Sequence, residues 1–461
     1  MTASDALHRL SQLHEDEAVV AWWQARTTWI ATHFVAERRR TLLSLAAVAA
    51  AWLAIVKALP RQSGHVTAPV WLAAPIALAI VLGLLYACYL AAVGFARLPA
   101  SVRRRPQVAL HAAFWGMLAL VWLVPAGDGV WTSVLVCVAT LLPFLLWRCG
   151  YLLKTGQRGK AAGTRFADHL FYLHPTWGDS NVPIGKGFDH LVRHEAHAPE
   201  AFARSQLAGM KLLVLALVWT GAQRAMAGLV YGEPASPLTR LFGGHVLHVP
   251  RLDSLLEQRD PVPLLVAWGS LYTELVREVL KHAAHGHVTV GALRLFGFNV
   301  FRNTYKPLLA ESIVEFWNRY YYYFKELLGD FFFFPTFVRH FRTWPRVRMI
   351  VATFAAAFVG NMYYHALNQD GLVLHGNFLA AWGALRPRLL YCLLLAIGIS
   401  VSMLREQRRR GTATAPRGGL ARVVRIAGVW TFFAIIHIWS VGAQASFTQR
   451  TQFFLSLLGL S

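Results

Sequence analysis

Residues 69–95 read PVWLAAPIALAIVLGLLYACYLAAVGF, 27 positions in a row without Asp, Glu, Lys or Arg. A helix of about 20 apolar residues crosses a hydrocarbon core of about 30 Å, so this stretch predicts a membrane span. Comparable blocks recur at 41–59, 108–125, 130–147, 210–230, 262–280, 347–367, 378–403 and 422–441. The block at 262–280 differs from the rest in carrying Glu274, Arg277 and Glu278. The composition agrees: 56% of the 461 residues are hydrophobic and only 15% charged, where a soluble domain carries about a quarter. A disordered chain, a coiled coil and a secreted disulfide scaffold are excluded. Cys88, Cys137, Cys149 and Cys392 lie in or beside apolar blocks with no close pair and read as small core residues. The expected fold is an all-α polytopic membrane protein with about nine transmembrane helices plus re-entrant or interfacial helices.

The net charge of +22 would suggest nucleic acid in a soluble protein. Here the basic residues sit between the apolar blocks, so membrane topology explains them and nucleic acid is not an expected partner. Clusters occur at Arg38–Arg40, Arg103–Arg105, Arg148 to Arg165, Arg339 to Arg348 and Arg405 to Arg410. Nine spans bring all five to one face, which the positive-inside rule makes cytoplasmic. The N-terminus is then inside and the C-terminus outside. No cleavable signal peptide is visible, because the first forty residues include Asp5, Glu15, Glu17 and the run Glu37 to Arg40. Residues 1–40 read as a cytoplasmic or interfacial segment, with 17–36 suited to an amphipathic helix at the membrane surface or to a helix packed on the first span. Residues 41–461 read as a single membrane domain.

Two stretches are not simple loops. Residues 148–209 are long, polar and histidine-containing, and 281–346 mix basic, aromatic and apolar groups without one clean span. Non-helical backbone at membrane depth is tolerated only under cover of protein or a water cavity. Residues 296–340 are therefore expected to form re-entrant or interfacial helices lining a cavity. No long internal repeat is visible, which argues against an inverted-repeat transporter.

An ionisable group within a span is costly and marks function by default. His365 closes the apolar run MIVATFAAAFVGNMYYHAL (349–367), beside Asn361, Tyr363 and Tyr364. A neutral imidazole there can take a proton from a hydroxyl; the plain alternative is a core histidine bonded to a carbonyl. The segment LFGFNVFRNTYKPLLAESIVEFWNRYYYYFKELLGDFFFFP (295–335) holds Asn318, Arg319, Lys325, Glu326 and Asp330 among aromatic residues. It suits a buried tunnel, or an interfacial belt of Tyr and Phe.

Together these features resemble the membrane-bound O-acyltransferase (MBOAT) family. The resemblance rests on LFGFN (295–299), Pro307, Ala310, Ser312, Ile313, the run Glu315-Phe316-Trp317, Arg319, Asp330 at the spacing of the family's turn aspartate, and His365 in the following span. It covers roughly 290–370, with a looser continuation into WGALRPRLL (382–390). It departs at Tyr321, where the family commonly has His or Asn, and at Met362-Tyr363-Tyr364-His365, where Gly-Leu-Trp-His is usual. Tyr is a poor base at its usual pKa of about 10, so Tyr321 would orient or donate a hydrogen bond, and Asn318 could share that role.

The resemblance implies acyl transfer from a thioester, most often acyl-CoA, to a hydroxyl. His365 would be the general base, and Asn318 and Tyr321 would position a substrate or stabilise the oxyanion. Trp317, Arg319, Lys325, Asp330, Asn361 and Tyr364 are the candidate substrate or acyl-CoA contacts; Arg339 and Arg342 are further candidates for CoA phosphates. No bound cofactor or metal is implied, only acyl-CoA (acetyl-CoA by preference) as co-substrate. The implied partners are membrane lipids, acyl-CoA, a glycan or lipid acceptor and an extracytoplasmic protein. The 37 Arg against 8 Lys fit a GC-rich bacterial gene. That leans the expectation toward the bacterial inner membrane and acetylation of an exported glycan or glycolipid, which segment 231–261 could meet outside.

A third constellation stays open beside it. His190, His194 and His197 fall at i, i+4 and i+7, one face of a helix, and His282, His285 and His287 form HAAHGH. Such spacing can ligate a metal, and membrane di-iron oxidases use cytoplasmic histidine clusters, though with adjacent His-His pairs absent here. A non-catalytic transporter or accessory protein is the remaining alternative. No P-loop, nucleophile elbow or dinucleotide motif stands in a credible strand-to-helix context.

Overall fold

The computed structural model describes residues 12–61, 70–123, 129–173, 186–242, 246–258, 262–409 and 419–460. Its longer helices, and the shorter ones used below, are α1 (Glu17–His33), α2 (Ala36–Arg61), α3 (Val70–Val93), α4 (Pro106–Leu123), α5 (Val130–Gln157), α6 (Pro199–Ala225), α7 (Leu264–Leu295), α8 (Ile313–Tyr320), α9 (Tyr322–Leu328), α10 (Pro345–Phe354), α11 (Asn361–Leu367), α12 (Phe378–Arg409) and α13 (Gly419–His437). Among the described residues there is no strand; one isolated antiparallel bridge joins Glu195 and Phe298. The chain is an all-helical polytopic protein with eight stretches long and apolar enough to cross a membrane, carried by α2, α3, α4, α5, α6, α10 with α11, α12 and α13.

Those eight match eight of the nine expected blocks. The ninth, 262–280, lies in α7, which is helical but is not among the candidate spans. Its charged residues pair with one another along the helix, as described below.

The chain divides into two compact units. The first comprises Met1–Leu212, Thr289–Phe301 and Leu367–Ala381; the second comprises Leu213–Val288, Arg302–Ala366 and Trp382–Ser461. In the first unit α5 is the central element, buried along most of its length and packed against α2, α3 and α4. Small residues let helix backbones approach closely without a hydrophobic drive from lipid. Gly156 on α5 is such a site, since a Cβ there would lie 2.4 Å from the Ala92 carbonyl oxygen. Helix α1 buries Val20 and Thr27 and exposes Trp22 and Trp29.

The expected histidine face at 190–197 does not form. The helix Phe188–Arg193 stops at His194, because the next residues bond elsewhere. The His194 carbonyl accepts from Asn299 N–H (2.8 Å), and Ala196 N–H donates to the Gly297 carbonyl (2.8 Å). His197 therefore lies beyond the helix. His190 and His194 keep ring contact at 4.4 Å. Burial first, then the neighbouring His194, Lys186 and Arg193, pushes His190 down to about 3, so its ring is neutral.

The core of the second unit gathers α8, α9, α7, α12 and α13. Phe316 stacks on Phe433 with centroids 3.8 Å apart, and Trp317, Tyr320, Phe324 and Leu328 are buried beside them. Segment 296–340 is broken: a short 3-10 turn Pro307–Leu309, then α8, α9, a π turn Gly329–Phe333 and a helix Phe334–Arg339. Ser312 caps α8 by accepting from Glu315 N–H at 3.1 Å. A second π turn, Ala355–Gly360, joins α10 to α11. Single π turns inside helices recur at functional sites.

Gly360 fits that turn against the other. A Cβ at 360 would meet Phe332 Cδ2 at 2.6 Å and Leu328 Cδ2 at 3.0 Å. Overpacking of this kind costs about 1–3 kcal/mol. Gly360→Ala is accordingly expected to lower the thermal midpoint of the purified protein, whereas Gly371→Ala, where nothing lies within 4 Å, is expected to leave it unchanged.

Candidate active site

The second unit brings His365, Tyr364, Phe324, Tyr321 and Trp317 into one cluster. The ring centroids lie 6.0 Å apart for Tyr364–His365, 4.7 Å for Phe324–Tyr364, 6.2 Å for Tyr321–Phe324 and 5.7 Å for Trp317–Tyr321. His365 sits in the last turn of α11 and is half-buried. Its Nδ1 lies 2.8 Å from Arg388 Nη1 on α12. A guanidinium only donates, so Nδ1 is the acceptor and the ring proton of the neutral imidazole is on Nε2. His365 is thus a donor at Nε2, and its basic nitrogen is covered by Arg388.

Asn361 stands four residues before His365, on the same face of α11. It is 1% exposed, and neither its Oδ1 nor its Nδ2 has a hydrogen-bond partner among the described residues. An unmet buried amide costs about 1–3 kcal/mol, and such a group calls for an explanation. Its placement one turn before His365 makes it a candidate ligand contact. Asn361→Leu is expected to hold or raise thermal stability while lowering turnover, the opposite of a residue kept for structure; a thermal melt and a rate on the same preparation check this.

Tyr321 is held from another side. The chain breaks after Tyr320, and Tyr321 takes φ −127° and ψ 63° between α8 and α9. Its Oη is 2.7 Å from His282 Nε2 on α7. Desolvation, then Tyr320 and Tyr391, pushes its phenol well above the usual value, so the hydroxyl keeps its proton. His282 Nε2 also lies 3.5 Å from Glu278 Oε2. From Glu278 a ladder runs up α7: Arg277 Nη2 to Glu278 Oε1 at 2.6 Å, Arg277 to Glu274, and Arg251 Nε to Glu274 Oε2 at 3.3 Å. Arg251 Nη1 reaches Glu233 Oε1 at 3.2 Å.

Several of the other expected residues are engaged elsewhere. Asn318 is exposed on α8 and does not share the position of Tyr321, because α8 ends between them. Arg319 pairs with Glu315 at 2.5 Å and donates to the Lys306 carbonyl at 3.3 Å. Lys325 pairs with Glu326 at 3.3 Å and lies 4.7 Å over the Tyr322 ring. Asp330 is half-buried in the first π turn. Arg339 and Arg342 are exposed, with Arg342 Nε donating to Val338 O.

Arg388 and His282 were missed as members of the site. The signal for Arg388 was present, since it is a charge within an apolar span. His282 was singled out only for the HAAHGH spacing, and its partner Tyr321 lies 39 positions away. Among the described residues no group of three or more His, Cys, Asp or Glu side chains converges as a metal site. The class defined so far is a polytopic helical membrane protein with a half-buried histidine bonded to an arginine in an aromatic-walled cluster, and a buried amide one turn before it that has no partner among the described residues. No family model matches the chain, and no curated protein matches it.

Proposed function

We propose that the chain is a membrane-embedded O-acyltransferase of the MBOAT kind. It would move an acyl group, acetyl by preference, from acyl-CoA to a hydroxyl of an exported glycan, glycolipid or lipid. The observation that carries the reading is the pairing of Asn361 and His365 on one face of α11, with the amide buried and unmet. An acyl-transfer site needs a group that accepts a hydroxyl proton and donors for the carbonyl oxygen as it becomes negative. His365 Nδ1 supplies the first once Arg388 has turned away, and Asn361 Nδ2 supplies one of the second. Tyr321, oriented by His282, is a neutral donor on the far side of Phe324 and Tyr364.

The ordered sequence from Ala310 to Trp317, with Asp330 and His365, favours this class over a di-iron oxidase. The setting proposed is the bacterial inner membrane, with the N-terminus cytoplasmic. The test is thiol release from a panel of acyl-CoAs by purified protein in liposomes, with a membrane lipid and glycan extract as acceptor source. Release that depends on acceptor and on His365 supports the reading. Equal background from wild type and folded His365→Ala, across several acceptor sources, contradicts it.

A further inference from the structure

Arg388 has an unusual position for an arginine. It lies within the candidate span Phe378–Arg408 and is half-buried. No carboxylate pairs with it among the described residues; its hydrogen bond goes to the His365 ring. A guanidinium drawn out of water is normally matched by a negative partner, and an intramembrane cation marks a substrate path by default.

A further arginine does not supply a counter-charge either. Arg450 acts on the same region as a like charge to Arg388. Arg450 is 3% exposed, and its donors are filled by the carbonyls of Ile438, Val441, Ala443 and Ala445. Glu257, the carboxylate that acts on Arg450, is itself engaged by Gln444 N–H at 2.7 Å. Arg388 thus has a neutral ring nitrogen where an oxyanion would bind more strongly. The planar fork of arginine matches carboxylate and phosphate oxygens two at a time.

We propose that Arg388 is an oxyanion-binding residue that selects an acceptor alcohol carrying a phosphate or carboxylate near its hydroxyl. The anion draws the guanidinium off His365, and the same movement uncovers Nδ1 as the base. The second half rests on the acyl-transfer reading; the first does not. In the transfer, the acceptor hydroxyl gives its proton to Nδ1, its oxygen bonds to the thioester carbonyl carbon, the C–S bond breaks, and the proton passes from Nδ1 to the thiolate. The histidine ends neutral, and no other reactant is consumed.

The test uses the whole protein in phosphatidylcholine nanodiscs and compares matched probes, octyl glucuronide against octyl glucoside and phosphatidylglycerol against diacylglycerol. Binding is measured alongside the nitrogen-15 signals of His365, assigned by their loss in His365→Gln. Wild type is expected to bind each charged probe at least about tenfold tighter than its neutral twin. The Nδ1 signal is expected to shift as Arg388 leaves. R388Q should abolish the preference and R388K should keep part of it.

Further arms add acetyl-CoA or acetyl-pantetheine, which lacks the nucleotide phosphates. Equal binding of charged and neutral twins by wild type would overturn the proposal, and that comparison needs no variant. A preference undiminished in R388Q, or a Nδ1 shift produced by acetyl-CoA alone and not by the charged acceptors, would overturn it too. Charged preference without any thiol release would leave the oxyanion site standing and remove the acyl-transfer reading.

Discussion

His365→Ala is expected to reduce acyl-thioester consumption by about 10²- to 10⁴-fold, the range contributed by a positioned general base. At 1.36 kcal/mol per tenfold this is about 3–5 kcal/mol of transition-state stabilisation. The expected cost to folding is small by comparison. His365 is half-buried, and its partner Arg388 has only a neutral ring to lose. A His365→Gln variant separates two roles, since its amide can accept from Arg388 but cannot take a proton at neutral pH. Rates for both variants near those of the wild type, in protein that melts normally, would remove His365 from the chemistry.

The largest expected effect on stability is at Glu274. It is 1% exposed, yet it is the carboxylate shared by Arg251 and Arg277, with Tyr231 Oη 3.5 Å from Oε2. Removing one partner of a buried ion pair costs about 3–5 kcal/mol, chiefly because the other charge is left unmatched. Here the lower end applies, as both arginines retain solvent access and a second carboxylate, Glu233 for Arg251 and Glu278 for Arg277. Glu274→Ala is therefore expected to destabilise by about 3 kcal/mol, or roughly 6–12 °C for a unit of this size. The exposed pair Arg204–Glu200 offers the contrast: Glu200→Ala is expected to cost under about 1 kcal/mol. Thermal melts of the two variants in one detergent decide the matter, and equal shifts would show that the α7 ladder is not buried as described.

The sequence made the helical membrane architecture legible because lipid demands long apolar runs, and such runs are visible one residue at a time. The block 262–280 stands apart from the other eight. Its charges satisfy each other along α7, which a hydropathy reading cannot see. The histidines at 190–197 show a different limit. Their spacing is helical, but His194 and Ala196 bond to 299 and 297, about a hundred positions later. A local period carries no trace of that contact.

The site was legible in part. His365, Asn361, Tyr364, Trp317 and Tyr321 could be named from a charge in a span and an ordered motif; the rings of Trp317, Tyr321, Tyr364 and His365 are linked through Phe324, and Asn361 precedes His365 by one helical turn. Asn318 could not be sorted from Tyr321, because the helix break at Tyr321 destroys the i, i+3 relation that would pair them. The π turn at Ala355–Gly360 has a similar effect. One inserted residue turns every later side chain by about 100°, so the face that His365 and Asn361 share cannot be projected from α10. Arg388 and His282 reach the site from α12 and α7, through contacts that depend on the tertiary fold.

Acyl transfer is tested by following the acyl group itself. Wild-type protein in liposomes receives acetyl-CoA labelled in the acetyl carbonyl, together with the membrane lipid and glycan extract. Label is then measured as hydroxylamine-labile ester in the acceptor fraction, alongside free thiol. Ester and thiol are expected in equal amounts, both lost in His365→Ala. Thiol without ester would make the chain a thioester hydrolase, and neither product from folded protein would contradict acyl transfer altogether.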